Sequence, residues 1–167
     1  KQQEHRIEVV ADKECDMRRQ DAKETGKKAE EKKISPKEIM SLAAALDERS
    51  HRFRLTGGVH SAALAKDGEI LLMREDVGRH NAVEKLLGAC VREQIDTADK
   101  TIVFSGRVAA EILEKAAAIG APTLIAVSAP TSRAVERAEE KGILLVGFAR
   151  GESFNVYTFP ERLAEVI

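Results

Sequence analysis

The feature that most restricts the fold is the alternation that begins at residue 101. Apolar runs over 101–104, 123–127 and 143–148 are separated by helical patterns over 108–119 and 132–141, and each helical pattern closes on a glycine, Gly120 or Gly142. This is a βαβαβ unit. Its strands are continuously apolar rather than alternating, which is the pattern of parallel strands covered on both faces and joined by right-handed crossovers. A final strand over 154–158 stops at Pro160.

Upstream of this unit, Ser35-Pro36-Lys37-Glu38 combines an N-cap, a proline at the first helical position and a capping-box glutamate. It predicts a helix to about Ser50, with Ile39, Leu42, Ala43 and Leu46 on its buried stripe. Strands over 59–66 and 69–74 flank Asp67-Gly68, the turn chemistry of a two-residue hairpin. Asn81 is placed to cap a further helix whose apolar face holds Val83, Leu86, Leu87, Cys90 and Val91, despite the helix-weakening Gly88. The fold class is therefore α/β, a β-hairpin followed by a βαβαβ parallel unit. Residues 35–167 form one domain, and 1–34 form a charged leader.

The leader stands apart in composition. Of residues 1–38, 21 are charged, 11 Lys or Arg and 10 Asp or Glu, so the stretch has too little apolar surface to offset its ordering entropy and is expected to be mobile. Residues 7–10 read as the end of a strand, and a chain opening on Lys1 rather than methionine points to a portion preceding it. Across all 167 residues the net charge is -1, which excludes a nucleic-acid module that works by phosphate neutralisation. No apolar run reaches the length of a membrane span and no signal peptide is visible, so the expectation is a cytoplasmic protein with neither nucleic-acid nor membrane partners. Two cysteines, Cys15 and Cys90, exclude a disulfide framework and leave only single-thiol chemistry.

Open α/β sheets bind ligands beyond the carboxyl ends of their parallel strands, where helix N-termini present unpaired N–H groups. Three segments meet that edge: Ser105-Gly106-Arg107, then 128–133 with Ser128, Thr131, Ser132 and Arg133, then Ala149-Arg150-Gly151-Glu152-Ser153. Each pairs a hydroxyl with an arginine, which suits an anionic, phosphate-bearing ligand; the alternative is that the hydroxyls are ordinary helix caps. Thr56-Gly57-Gly58-Val59-His60 offers a diglycine turn, a candidate anion nest, before a histidine that is either functional or a satisfied core residue. Glu75-Asp76-Val77-Gly78-Arg79-His80-Asn81 is dense in titratable groups; its carboxylates either line a site or cap the next helix.

These segments, with Thr56 through Ala62, 75–83, Ser105-Gly106-Arg107, 127–132 and 146–158 in order, resemble the formate dehydrogenase accessory sulfurtransferase family, FdhD. The resemblance implies a cytidine-deaminase-like three-layer fold, and a leader that is the remnant of a linker from a smaller N-terminal domain. It also implies a sulfurtransferase that carries persulfide sulfur from a cysteine desulfurase to the molybdenum or tungsten bis-guanine-dinucleotide cofactor of formate dehydrogenase. That cofactor, molybdenum bis(molybdopterin guanine dinucleotide), is bound as substrate, with GDP a mimic of its ends. A homodimer is implied as well. The family's cofactor-binding stretch maps onto Phe148, Ala149, Arg150, Gly151, Glu152 and Ser153, with Arg150 the phosphate partner. Asp76, Arg79 and His80 line the cleft on this reading, His80 as a proton donor near the transferred sulfur.

The family's C-x-x-C pair is reduced here to Cys15, because positions 12 and 18 hold Asp12 and Arg18, and Cys15 is either the persulfide site or a bystander thiol. Lys13, Arg18 and Arg19 favour its thiolate while Glu14 and Asp16 oppose it. Cys90 lies on the apolar face of its helix and belongs to the core. The alternative function is a non-catalytic chaperone that delivers the cofactor. Zinc deamination is excluded, since His60 is followed by Ser61-Ala62 and Pro130 by Thr131-Ser132, leaving neither the catalytic glutamate nor the cysteine ligands.

Overall fold

The computed structural model describes residues 8–9 and 32–164. Its strands form one seven-stranded sheet in the order β1-β7-β6-β5-β4-β2-β3. In chain order the elements are β1 (Glu8–Val9), α1 (Pro36–Arg49), α2 (His51–Thr56), β2 (His60–Lys66), β3 (Glu69–Asp76) and α3 (Arg79–Arg92). There follow β4 (Thr101–Phe104), α4 (Ala110–Ile119), β5 (Thr123–Ala126), α5 (Ser132–Lys141), β6 (Leu144–Arg150) and β7 (Ser153–Val156), then a single 3-10 turn, Pro160–Arg162. The expected parallel trio β4, β5 and β6 is present. Antiparallel neighbours flank it, β2 against both β3 and β4, and β7 against β6, while β1 pairs parallel with β7.

Both faces of the sheet are covered, which is why its central strands read as unbroken apolar runs. One core takes Leu64, Ile102, Phe104, Leu124 and Leu145 with Leu86 of α3, Ile112 and Leu113 of α4 and Ala134 and Ala138 of α5. The opposite core takes Ala63, Ala65, Val103, Ile125, Leu144 and Val146 with Ile39, Leu42 and Leu46 of α1. Adjacent strand residues thus go to opposite cores, as the two-residue period of a strand requires. Ile34 is buried and bridges Leu163, tying the start of the domain to its last described turn.

Local chemistry accounts for the element boundaries. Ser35 caps α1, its hydroxyl accepting the Glu38 N–H at 3.1 Å. Glu38 does not close a capping box; its Oε1 accepts the Gly68 N–H at 3.0 Å instead and pins the hairpin to the helix. At that turn Asp67 (φ 53°) and Gly68 (φ 79°) are both left-handed, the geometry of a two-residue loop between right-twisted strands.

Four expectations are corrected. A second helix, α2, follows α1 after Ser50, where no helix was expected; its residues are all exposed and so left no periodic apolar trace. The third helix starts at Arg79 with Gly78 at the N-cap and no side-chain cap, because Asn81 is turned to donate to Asp76 Oδ1 at 3.2 Å. Val91 is 69% exposed, since Ala82 and Ala89 take the packed positions beside Val83, Leu86 and Cys90. Residues 149–153 are the end of β6, the tight turn at Gly151 (φ 61°) and the start of β7, rather than an open loop.

Candidate functional site

The carboxyl ends of β4, β5 and β6 are laced together by main-chain and serine hydrogen bonds. Ser61 and Ser105 exchange bonds: the Ser61 N–H donates to Ser105 Oγ at 2.9 Å, and the Ser105 N–H to the Ser61 carbonyl at 3.0 Å. Ser128 Oγ donates to the Ser105 carbonyl at 3.2 Å, and the Phe148 N–H donates to the Ser128 carbonyl at 3.2 Å. The loop after β4 is also held to the loop after β5, with the Val108 N–H on the Ala129 carbonyl at 3.0 Å and the Thr131 N–H on the Val108 carbonyl at 2.9 Å. Ser105 therefore ties the loop after β4 to strand β2, and Ser128 cross-links that loop to the one after β5. Thr131 is a plain helix cap, its hydroxyl accepting the Ala134 N–H at 3.2 Å, and Ser132 is the exposed first residue of α5.

Two glycines allow this close lacing. A Cβ at Gly106 would lie 2.7 Å from Phe104 Cζ and 3.3 Å from His60 Nδ1, and one at Gly147 would lie 2.9 Å from Pro130 Cδ and 2.8 Å from Tyr157 Cε2. The space beside Gly106 is thus taken by Phe104 and His60. Above this floor Arg107, Arg133 and Arg150 are all exposed. Among the described residues Arg107 and Arg133 have no carboxylate partner, and Arg150 lies 5.9 Å from the centre of the Phe148 ring. Phe148 itself is left-handed (φ 52°) at the irregularity between Gly147 and Arg150, which turns the end of β6. Ala149 is buried in the core under α1, whereas Glu152 and Ser153 are exposed in the turn. Helix α4 follows an Ala109 N-cap that supplies no side-chain hydrogen bond, and its first N–H groups add to the positive character of the edge.

The histidine region adjoins this edge because β2 runs antiparallel to β4. His60 is opposite Asp76 in the β2–β3 register and tilts against Phe104 at a 6.5 Å ring separation. Burial, and secondarily the Arg79 charge, hold its pKa below the usual imidazole value, so it is neutral at pH 7. Arg79 Nε and Glu75 Oε1 are buried without hydrogen-bond partners in this region. His80 Nδ1 lies 3.2 Å from Lys115 Nζ, which also meets Glu84 at 2.7 Å. Lys115 went unnoticed in the sequence: it sits on a different helix 35 residues from His80, and no local pattern links the two.

Asp76 is occupied in holding the start of α3. It accepts from the Gly78 N–H at 2.9 Å and the Asn81 amide at 3.2 Å, and pairs with Lys85 at 2.6 Å. The Lys85 bond, then those from Gly78 and Asn81, lower its pKa to about 2. A carboxylate depressed in the folded state contributes stability above its unfolded pKa and loses it as pH falls through the folded value. An NMR pH titration should place the Asp76 midpoint near 2, and Lys85→Met should move it up toward the ordinary carboxylate range. A midpoint unaffected by that substitution would show that Lys85 is not its partner.

The remaining segment, Thr56-Gly57-Gly58, ends α2. Gly57 (φ 67°) is its left-handed cap, and Thr56 Oγ1 donates to the Arg52 carbonyl at 2.8 Å and accepts the Gly58 N–H at 3.3 Å. Cys90 is buried, and burial with the nearby Glu93 pushes its thiol pKa up, so it is a core residue rather than a nucleophile. Cys15 lies outside the described residues.

The fold is thus an α/β sheet covered on both faces, with exposed arginines at the carboxyl ends of its parallel strands, the edge at which open α/β sheets take their ligands. The chain belongs to the FdhD/NarQ family, whose profile matches residues 1–164. It is 48% identical over 146 residues to a protein of Bacillus subtilis (strain 168) named sulfur carrier protein FdhD, covering 87% of this chain and 56% of that one. A protein of the same name from Geobacillus kaustophilus (strain HTA426) is 50% identical over 130 residues, 78% of this chain and 49% of the relative. The chain therefore spans about half the length of the curated relatives it matches. A crystal structure described as that of a formate dehydrogenase accessory protein from Desulfotalea psychrophila superposes with a TM-score of 0.74 at 30% identity, covering 80% of this chain and 58% of that one.

Proposed function

We propose that this chain is the cofactor-binding part of a sulfur carrier that serves formate dehydrogenase. Cys15 thiolate attacks the sulfane sulfur of a cysteine desulfurase persulfide; the donor S–S bond breaks, the donor leaves as a thiolate and Cys15 becomes the persulfide. The terminal sulfur is then passed to molybdenum bis(molybdopterin guanine dinucleotide), or its tungsten counterpart, held as substrate at the strand-end edge: the Cys15 S–S bond breaks, Cys15 leaves as the thiolate, and the reduced metal of that substrate supplies the two electrons that bring the sulfur to the sulfide level. The carrier works as a cytoplasmic homodimer with the cytidine-deaminase-like layering of its family. Among the described residues no helix is long and apolar enough to cross a membrane.

The observation that supports the reading best is the arginine rim. Among the described residues Arg107 and Arg150 stand exposed and free of carboxylates over a floor that serine cross-links hold rigid, an arrangement suited to diphosphate oxygens. Relatives named sulfur carrier proteins supply the direction of the chemistry. Arg79, with a buried unpartnered Nε, and His80, positioned by Lys115, stand on the adjacent side as hydrogen-bonding groups.

The test has two parts. GDP should bind the chain, and Arg150→Ala should weaken it roughly 10-fold or more, the worth of a charge-assisted hydrogen bond. Incubation with a desulfurase and cysteine should add one sulfur mass to the peptide containing Cys15. GDP binding without that mass would move the function to the cofactor-delivering chaperone, and unchanged GDP affinity in Arg150→Ala would remove that residue from the site.

A further inference from the structure

The opposite margin of the sheet carries a feature that the proposed sulfur chemistry does not use. Strand β3 is terminal in the sheet, and against it lies a groove of about 730 Å³ whose lining includes Arg49, Arg52, Arg74, Lys85 and Arg92, with Glu75 the one carboxylate among the described lining residues. In a chain of net charge -1 this is a marked concentration of positive charge. Three of the cations cap carbonyls of β3: Arg49 donates to Ile70 at 3.3 Å, Arg74 to Met73 at 2.8 Å and Lys85 to Glu75 at 3.0 Å. Such capping opposes addition of another strand but leaves the positive charge in place. Carboxylates offset it in part: Lys85 pairs with Asp76 at 2.6 Å, Arg52 meets Glu75 at 3.7 Å, and Arg74 and Arg92 meet Glu93 at 3.9 and 4.0 Å. The Arg52 and Arg92 side chains are each 74% exposed.

Gly88 adds an independent observation. It lies in the middle of α3, where glycine weakens a helix relative to alanine. A Cβ there would meet nothing within 4 Å, so no contact with the described residues beyond its own helix requires its absence. The residue lines the groove, between the cations Lys85 and Arg92 on the same helix, and offers bare backbone to whatever enters. Half-buried Met73 contributes apolar surface to the lining while Ala89 is buried, and Leu71 on the same strand is 55% exposed.

We infer that this groove seats an acidic peptide segment of a partner protein, with carboxylates on the arginine rim and apolar side chains over Met73 at the close approach that Gly88 permits. A second copy of the chain is disfavoured as occupant, because a two-fold contact would set the basic groove against itself. The mixture of apolar floor and basic rim likewise favours a peptide over a nucleic acid, whose recognition rests chiefly on phosphate neutralisation.

Fluorescence anisotropy on the 167-residue chain tests this with three labelled probes: a decapeptide alternating glutamate and leucine, the same peptide with lysine for glutamate, and a single-stranded DNA decamer. The acidic peptide should bind, the lysine peptide should not, and the DNA should bind more weakly than the acidic peptide. The Arg49→Glu/Arg92→Glu double variant should weaken the acidic peptide at least 10-fold, as loss of charge-assisted contacts requires. Gly88→Ala should raise the melting temperature by about 2–4 °C while lowering peptide affinity. Peptide affinity unaffected by the charge reversal, unchanged in a stabilised Gly88→Ala, or exceeded by that of the DNA would overturn the inference.

Discussion

Replacing Phe104 with alanine is expected to cost about 3–5 kcal/mol of unfolding free energy, among the largest single-residue effects in the domain. The ring is fully buried at the end of β4, packed in the core beneath α3 and α4 and tilted against His60. It also fills the space beside Gly106, so its loss opens a cavity next to the serine-laced floor rather than at a site where neighbours can collapse. Urea unfolding should show a lower midpoint with an unchanged slope, the signature of altered stability rather than an altered denatured state. A loss below about 1 kcal/mol would mean that the packing around β4 relaxes to fill the gap.

Gly147→Val should be the second severe change, destabilising by about 1–3 kcal/mol or more through overpacking. Backbone conformation is not the reason, since Gly147 is not among the positive-φ glycines; space is. A Cβ alone would come within 2.9 Å of the Pro130 ring and 2.8 Å of Tyr157, and the proline ring cannot rotate away. Relief would push the loop after β5 off β6 and break the Phe148 N–H bond to the Ser128 carbonyl. Hydrogen exchange at the Phe148 amide should therefore accelerate in this variant beyond what the stability loss predicts. Exchange that tracks global stability alone would show that the loop yields elsewhere.

Most of the architecture was readable from residue patterns because it depends on local and periodic chemistry. The parallel trio, the closing glycines of α4 and α5, the proline-led start of α1 and the Asp67-Gly68 hairpin all lie where their residues placed them. What went astray had no local signal. Helix α2 is exposed throughout, Asn81 was diverted by a carboxylate five residues earlier, and Glu38 was drawn away from its own helix to the hairpin turn. The strand-end edge was legible as a location, since the order of strands and helices dictates it. The roles of its hydroxyls were not: Ser105 joins its loop to β2, Ser128 joins two loops and Thr131 caps a helix, and only the spacing between elements distinguishes them.

By itself the sequence determined the hairpin, the parallel unit and the helices that pack on it, most of their apolar faces, and the end of the parallel strands where a ligand edge is expected, because these follow from periodicity, turn residues and chain connectivity. Only the tertiary structure decided that His60 and Arg79 share a half-buried environment, that Lys115 meets His80 from another helix, and that five cations from two helical segments, strand β3 and α3 converge on one groove. Those are encounters between residues far apart in the chain. They depend on how the two cores rotate and space the elements, which no local pattern encodes.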